Sequence, residues 1–510
     1  MSLARAWSVA LVGLDGAMVE VEAAIGNGLP RTVLVGLPDA SLYEARDRCR
    51  AAMSSARFGW PSDPVTINLS PAALPKAGSH FDLAIIAAVG AAQKLCEPGA
   101  LDRRVLLGEV GLDGRVRRVR GLLAALLAAV RHDYESVVVP ADQMGEASLV
   151  EGLSVTGVSD VAELFDVLRG GPGASGPTAR ADGGADEPGK DLADVAGQLE
   201  AKWALEVAAA GRHHLYLHGP PGAGKTLLAE RLPGVLPDLN PAEALEVSAV
   251  HSLAGESLDH GLIRRPPYAD PHHSATVASL VGGGARVALP GAVSRAHRGV
   301  LFLDEAPEFA PKALEALRVP LESGRVVLAR AVATAVYPAC FQLVMAANPC
   351  PCGLASTPGA LCRCGASAVR KYRERVSGPI LDRVDIHQHV RPVRKAFLAA
   401  ALQAAESSAA VAERVVAARC RQEARLVPFG WRTNAEVPGV VLRRFLPIPD
   451  GVELLEDSLA KGRLSARGVD KVLRLAWTIA DLAGADVPDR DHLNTALALR
   501  RGEDVLTRGA

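Results

Sequence analysis

Gly219-Pro-Pro-Gly-Ala-Gly-Lys225-Thr226 decides how this chain is read. It follows the apolar run Leu215-Tyr-Leu217 and precedes Leu227-Leu-Ala-Glu-Arg-Leu232, which has helical composition. The pattern G-x-x-x-x-G-K-[ST] therefore stands in the strand, loop and helix setting that gives it meaning. Gly219, Pro220, Pro221, Gly222, Ala223 and Gly224 form the loop. Its glycines let backbone N–H groups close around phosphates, and the start of a helix adds positive potential. Lys225 is then placed to reach the β- and γ-phosphates, and Thr226 to ligate Mg²⁺.

Working outward, His297-Arg-Gly-Val-Leu-Phe-Leu-Asp304-Glu305 is an apolar strand ending in two carboxylates. A strand parallel to the one before the loop sets Asp304 beside Thr226, in the Mg²⁺ shell, and Glu305 near the γ-phosphate, where it polarises water. A third apolar run, residues 341–347, ends in Asn348.

The 510 residues allow roughly three or four domains, and 49% hydrophobic content is ample for packed cores. Lys+Arg 56 against Asp+Glu 57 leaves a net charge of −1, so any nucleic-acid site must be local. The apolar run 122–130 is too short to span a membrane, and Asp15 interrupts the first apolar stretch before it could act as a signal. A cytoplasmic protein with no membrane partner is expected.

Of eight cysteines, Cys350, Cys352, Cys362 and Cys364 cluster in an insert, 349–365. Four thiolates suit tetrahedral Zn²⁺, although C-x-C is tighter than the usual spacing; reduced, uncoordinated thiols are the alternative. Arg370, Lys371, Arg373 and Arg375 then surround Tyr372. A basic cluster with one aromatic beside a zinc knuckle suits a nucleic-acid backbone, and a solvated helix face is the competing reading.

Residues 1–168 alternate short apolar runs with turn signals and read as an α/β domain, with strands near 7–14, 19–25, 32–36, 65–69 and 136–139 and helices near 83–95 and 122–130. The Gly-, Ala-, Asp- and Pro-rich stretch 169–189 reads as a flexible linker. Residues 190–395 hold the phosphate-loop core. From 396 to 510 the pattern is helical, near 396–405, 409–425, 452–459 and 470–482.

On these motifs the chain resembles the YifB/ComM family of magnesium-chelatase-like AAA+ ATPases. The matching pieces are Pro75-Lys-Ala-Gly78, Leu107-Gly-Glu-Val-Gly-Leu-Asp-Gly-Arg115, Asp194-Val-Ala-Gly-Gln198, Pro271-His-His273, Val281-Gly-Gly-Gly284, Arg318-Val-Pro-Leu-Glu322 and Asn348-Pro-Cys-Pro-Cys-Gly353. The resemblance implies a ribosomal-S5-domain-2-like, Lon-protease-like α+β domain at the N-terminus, a central AAA+ P-loop α/β domain and a C-terminal helical lid. Laid on this chain, the protease pattern puts His80 at the nucleophile position and Ala125 at the lysine position. A serine without its base is a weak nucleophile, so no protease is expected.

The resemblance further implies ATP with Mg²⁺ and gives Asn348 the sensor 1 role. It makes Arg383, in Gly378-Pro-Ile-Leu-Asp-Arg383-Val-Asp385, an arginine finger serving the next subunit, the alternative being an internal salt bridge with Asp382 or Asp385. Arg467, in Leu464-Ser-Ala-Arg467-Gly, becomes sensor 2, acting in its own subunit or across the boundary. A homohexameric ring follows, working on branched or single-stranded DNA by branch migration, with recombination proteins as partners. The competing functions are a chelatase motor acting on a protein partner and a nucleotide-gated scaffold. The chain lacks the D-x-S-x-S motif of the chelatase partner subunit, and intact Lys225, Asp304, Glu305 and Arg383 weigh against a scaffold.

Overall fold

The computed structural model describes residues 2–36, 40–76, 78–173, 190–284, 288–330, 333–355, 361–392 and 405–503. Most of the linker and the expected helix at 396–405 lie outside them.

At the N-terminus, Ser2–Val12 and Asp15–Ile25 pair antiparallel over their full length, Ser2 against Ile25 and Val12 against Asp15. Gly13, with φ +69°, opens the two-residue turn between them, where a primed hairpin turn needs a left-handed residue. A Cβ there would lie 2.7 Å from the Val336 carbonyl oxygen, so the turn also needs glycine to seat against the central domain. The seven-stranded sheet runs Thr32–Val35, Val65–Ser70, Asp15–Ile25, Ser2–Val12, Arg104–Leu106, Ser136–Pro140 and Ser154–Val158. Helix Asp82–Ala92 is buried along its whole length, as a helix apolar on every side must be.

The central domain is a five-stranded, all-parallel sheet in the order Tyr268–Ala269, Val300–Leu303, Gln342–Ala347, Leu215–His218 and Ile386–His389. Val300–Leu303 and Gln342–Ala347 are buried at every residue, the signature of strands covered on both faces. From Leu215–His218 the chain crosses to the far edge and returns, so Leu215–His218 lies between strands reached in opposite directions. Loops leaving carboxyl ends at such a reversal form the natural ligand crevice. The phosphate loop is one of them.

The C-terminal helices Ser408–Leu426, Glu453–Ala460, Ala466–Ala483 and Arg490–Arg501 share one apolar core with the central sheet, joining Trp477 to Leu217 and Val344. Ser407, Ser465 and Asp489 cap three of them through side-chain oxygens. The sequence pattern places the first three of these helices, understating Ala466–Ala483 by four residues at its start, and gives no helix at Arg490–Arg501. It also passes over Ala40–Ser55 and Pro241–Ala254.

Pro241–Ala254 joins the first two domains. Asn240, Pro241 and Glu243 start it with a capping box. Its Ala249 shares an apolar cluster with Leu122, Leu123 and Leu126 of helix Leu122–Arg131. Ser252 donates to Glu146, and Arg118 makes a two-pronged pair with Asp259 at 3.0 and 3.4 Å. No described helix is long and apolar enough to cross a membrane.

Candidate nucleotide site

Gly222 and Gly224 take φ of +74° and +92°, a left-handed course that turns the loop back on itself. Gly219 is fixed for another reason, since a Cβ there would lie 2.2 Å from the Val390 carbonyl oxygen. Lys225 is 8% exposed. Its ammonium donates to the Gly219 and Pro220 carbonyls at 2.7 and 3.0 Å and to Asn348 Oδ1 at 3.0 Å. Burial lowers its pKa, opposed by Asp304 and Glu305. Thr226 Oγ1 donates to Asp304 Oδ2 at 2.9 Å. This hydroxyl and carboxylate fit the Mg²⁺ shell, and the three oxygens that accept from the lysine occupy the acceptor positions that phosphate oxygens would take.

Glu305 has φ +50°, a left-handed conformation that costs a non-glycine residue about 1–3 kcal/mol. With Asp304, Asn348 and the loop it lines a cavity of about 330 Å³. His273 Nδ1 lies 3.7 Å from Glu305 Oε2, a proximity that sequence reasoning missed. The signal was Pro271-His-His273, just beyond the edge strand Tyr268–Ala269. His272 instead bonds Ser274 Oγ at 2.8 Å. Gln198 was also left without a role. Its amide donates to the Ala223 and Arg391 carbonyls at 2.8 and 2.6 Å, tying the phosphate loop to the end of the last strand.

Arg383 and Arg467 stand elsewhere. Both line a separate cavity with Glu322, Asp382 and Lys471, and the phosphate-loop cavity has no arginine among its lining residues. Arg383 pairs with Glu322 and donates to the Pro379 carbonyl at 2.6 Å. Its internal carboxylate is therefore Glu322 and neither neighbour in sequence, because Asp385 faces Lys471 and Asp382 faces Arg500 and Arg467. The Lys471 ammonium holds the arginine's own backbone, donating to the carbonyls of Arg383 and Val384 at 2.8 and 3.2 Å and to Asp385 Oδ1 at 2.6 Å.

Burial opposes the charge on Asp385, yet Lys471 holds its carboxyl well below the ordinary range. Burial also pulls the Lys471 ammonium down, opposed by the charge and hydrogen bond of Asp385. Lys471→Met leaves Asp385 buried without its cation, with only the His214 N–H at 3.2 Å and His213 Nδ1 at 3.4 Å beside it, an expected loss of about 3–5 kcal/mol in urea unfolding at neutral pH. A depressed carboxyl contributes stability above about pH 4, the unfolded range, and loses it as pH falls through the folded pKa. The deficit of the variant should accordingly shrink on acidification.

Cys350, Cys352, Cys362 and Cys364 place their sulfurs within 4.8 Å of one another. Three of the separations are 3.4, 3.6 and 3.8 Å. A tetrahedron with metal–sulfur bonds near 2.3 Å has edges of about 3.8 Å, so the group fits a metal ion. Helix Ala366–Glu374 follows. Arg370, Lys371 and Arg373 are exposed on it, whereas Tyr372 is 4% exposed. The tyrosine expected as an aromatic contact for nucleic acid thus faces inward, because the helix turns this side toward the segment Ala306–Glu308. Arg375 is engaged by Glu308 at 2.8 Å.

In the N-terminal domain Ala125 is buried, and His80 Nε2 lies 2.7 Å from the Val9 carbonyl. Ser79 bonds Glu109, and Lys76 bonds the Gly36 and Pro71 carbonyls. Among the described residues no serine–lysine pair is formed by these groups.

Three family descriptions match the chain: "Magnesium chelatase, subunit ChlI" over residues 191–398, "Subunit ChlI of Mg-chelatase" over 21–143, and "Magnesium chelatase, subunit ChlI C-terminal" over 405–500. An uncharacterised protein of Mycobacterium tuberculosis is 53% identical, with 98% of this chain and 99% of the relative covered. Protein YifB of Escherichia coli is 39% identical over 99% and 98% of the two chains. Competence protein ComM of Haemophilus influenzae is 38% identical over 98% of each.

Proposed function

Since the chain belongs to the YifB/ComM family of magnesium-chelatase-like AAA+ proteins, we propose that it is a ring-forming, Mg²⁺-dependent ATPase that moves branched or recombining DNA. One observation carries the ring. Lys225, Thr226, Asp304, Glu305 and Asn348 meet in one cavity, while Arg383 and Arg467 line another in the same chain. A developing phosphoryl charge needs a late-arriving cation, and a neighbouring copy supplies it by bringing Arg383, with Arg467 beside it, to this loop. The Glu322 partner of Arg383 is exchanged for phosphate on assembly. A hexamer is the closed ring we assign.

The DNA substrate is supported by the exposed Arg370, Lys371 and Arg373, which begin within six residues of Cys364, and by the name of the Haemophilus relative, a competence protein. Zn²⁺ is the metal we assign to the four cysteines, and the N-terminal domain is a Lon-like binding or assembly module without protease chemistry. The family descriptions favour one second reading, a chelatase-type motor acting on a protein partner.

ATP turnover measured alone and with a four-way junction, a linear duplex or a protein mixture separates the two. Stimulation by the junction, with its strands exchanged and Glu305→Gln inactive, is the expected result. Stimulation by protein alone, with no junction movement, would overturn the DNA reading.

A further inference from the structure

The four-cysteine knuckle touches the ATP site at two points. Asn348, whose Oδ1 receives the Lys225 ammonium at 3.0 Å, stands two residues before Cys350. Cys350 is itself fully buried. Three residues further on, Gly353 turns with φ +78°, its N–H donating to the Cys350 carbonyl at 2.9 Å. A Cβ on Gly353 would lie 2.4 and 2.6 Å from Cγ and Cδ of Pro221 in the phosphate loop. The knuckle's backbone therefore rests directly on that loop. On the far side, the Asn348 backbone lies beside the Tyr372 phenol.

Among the described residues, little else holds this segment in place. Between Cys350 and Ala366, Gly353 is the one buried residue among those described, and Leu361 is 87% exposed. A segment with no apolar core of its own takes its shape from a cross-link, and four converging thiols provide one when a metal neutralises them. Losing that cross-link frees Gly353 from Pro221 and loosens the turn that aims Asn348.

We propose that the knuckle is a metal-dependent brace for the phosphate loop, so that nucleotide affinity depends on metal held some residues away from the nucleotide itself. Cys350, Cys352, Cys362 and Cys364 are positioning residues here, acting through Gly353 on Pro221 and through Asn348 on Lys225. The inference rests on the metal reading given above and adds to it a coupling.

The test uses the full-length chain under reductant. Metal content is measured by mass spectrometry, and affinity for a fluorescent ATP analogue by equilibrium titration, on the protein as purified, after chelator and dialysis, and after Zn²⁺ is restored. Stripping should weaken the analogue about tenfold or more, the loss of one charge-assisted hydrogen bond to phosphate, and Zn²⁺ should restore it. Gly353→Val keeps all four thiols but cannot seat against Pro221. It should hold its metal, melt below the wild type because valine is strained at φ +78° yet remain folded by circular dichroism at the titration temperature, and bind the analogue as weakly as the stripped protein. Metal that binds and can be removed, with affinity unchanged in both cases, would overturn the brace and leave the metal site standing. Failure of Zn²⁺ to bind at all would overturn both. Should stripping unfold the chain, Gly353→Val in its loaded form decides.

Discussion

Arg383→Ala is expected to lower ATP turnover by about 10³–10⁵, the range for removal of an arginine finger, while ATP affinity stays within a few-fold of the parent. The separation of effects follows from geometry. Arg383 touches none of the residues that line the phosphate-loop cavity, so binding through Lys225 and Thr226 does not need it. Its absence is felt when charge builds on the transferring phosphoryl group. A mixing experiment makes the prediction specific. Lys225→Ala subunits keep the arginine and lose the loop; Arg383→Ala subunits keep the loop and lose the arginine. In the proposed ring, mixing creates interfaces with one intact copy of each, and turnover should rise above that of either variant alone. A loss that mixing does not repair would place Arg383 in the service of its own subunit, through its contact with Glu322.

Glu305→Gln should reduce turnover by about 10²–10⁴, the usual contribution of a positioned general base, with ATP and Mg²⁺ still bound. The amide keeps the shape of the side chain and takes away the proton acceptor, and Thr226 and Asp304 remain joined at 2.9 Å for the metal. The variant should accumulate in the ATP-bound form, read by single-turnover kinetics beside analogue titration. Turnover within tenfold of the parent would mean that another group activates the water. The left-handed backbone at Glu305 and the approach of His273 to 3.7 Å suggest how the carboxylate is held. His273→Ala should therefore cost less than Glu305→Gln, since it removes an orienting neighbour and leaves the base.

Much of this site could be read along the chain because its parts obey local rules. The glycines, Lys225 and Thr226 are contiguous, and Asp304, Glu305 and Asn348 each follow an apolar run, so strand ends and polar tips coincide in sequence as they do in space. Ser408–Leu426, Glu453–Ala460 and Ala466–Ala483 are legible for a similar reason, their apolar spacing being regular, whereas Arg490–Arg501 is not in the sequence reading. Tyr372 is not legible as buried, since four cationic neighbours in sequence say nothing about which side of a helix faces inward. Helix Pro241–Ala254 escaped notice because its polar and small residues leave no strong apolar period, although Asn240, Pro241 and Glu243 announce its start.

What is determined locally is a glycine-rich loop ending in Lys225 and Thr226, two strand-end acids, a polar residue after a third apolar run and four clustered thiols, because each depends on residue type within a short window. Which carboxylate takes Arg383, the joint placement of Arg383 and Arg467 away from the loop, and the seating of Gly353 on Pro221 join residues from 61 to more than 130 positions apart. Such contacts are set by how the parallel sheet orders its strands and how the lid packs on them. No local window contains that information, and here it separates a nucleotide site from the arginines proposed to complete it.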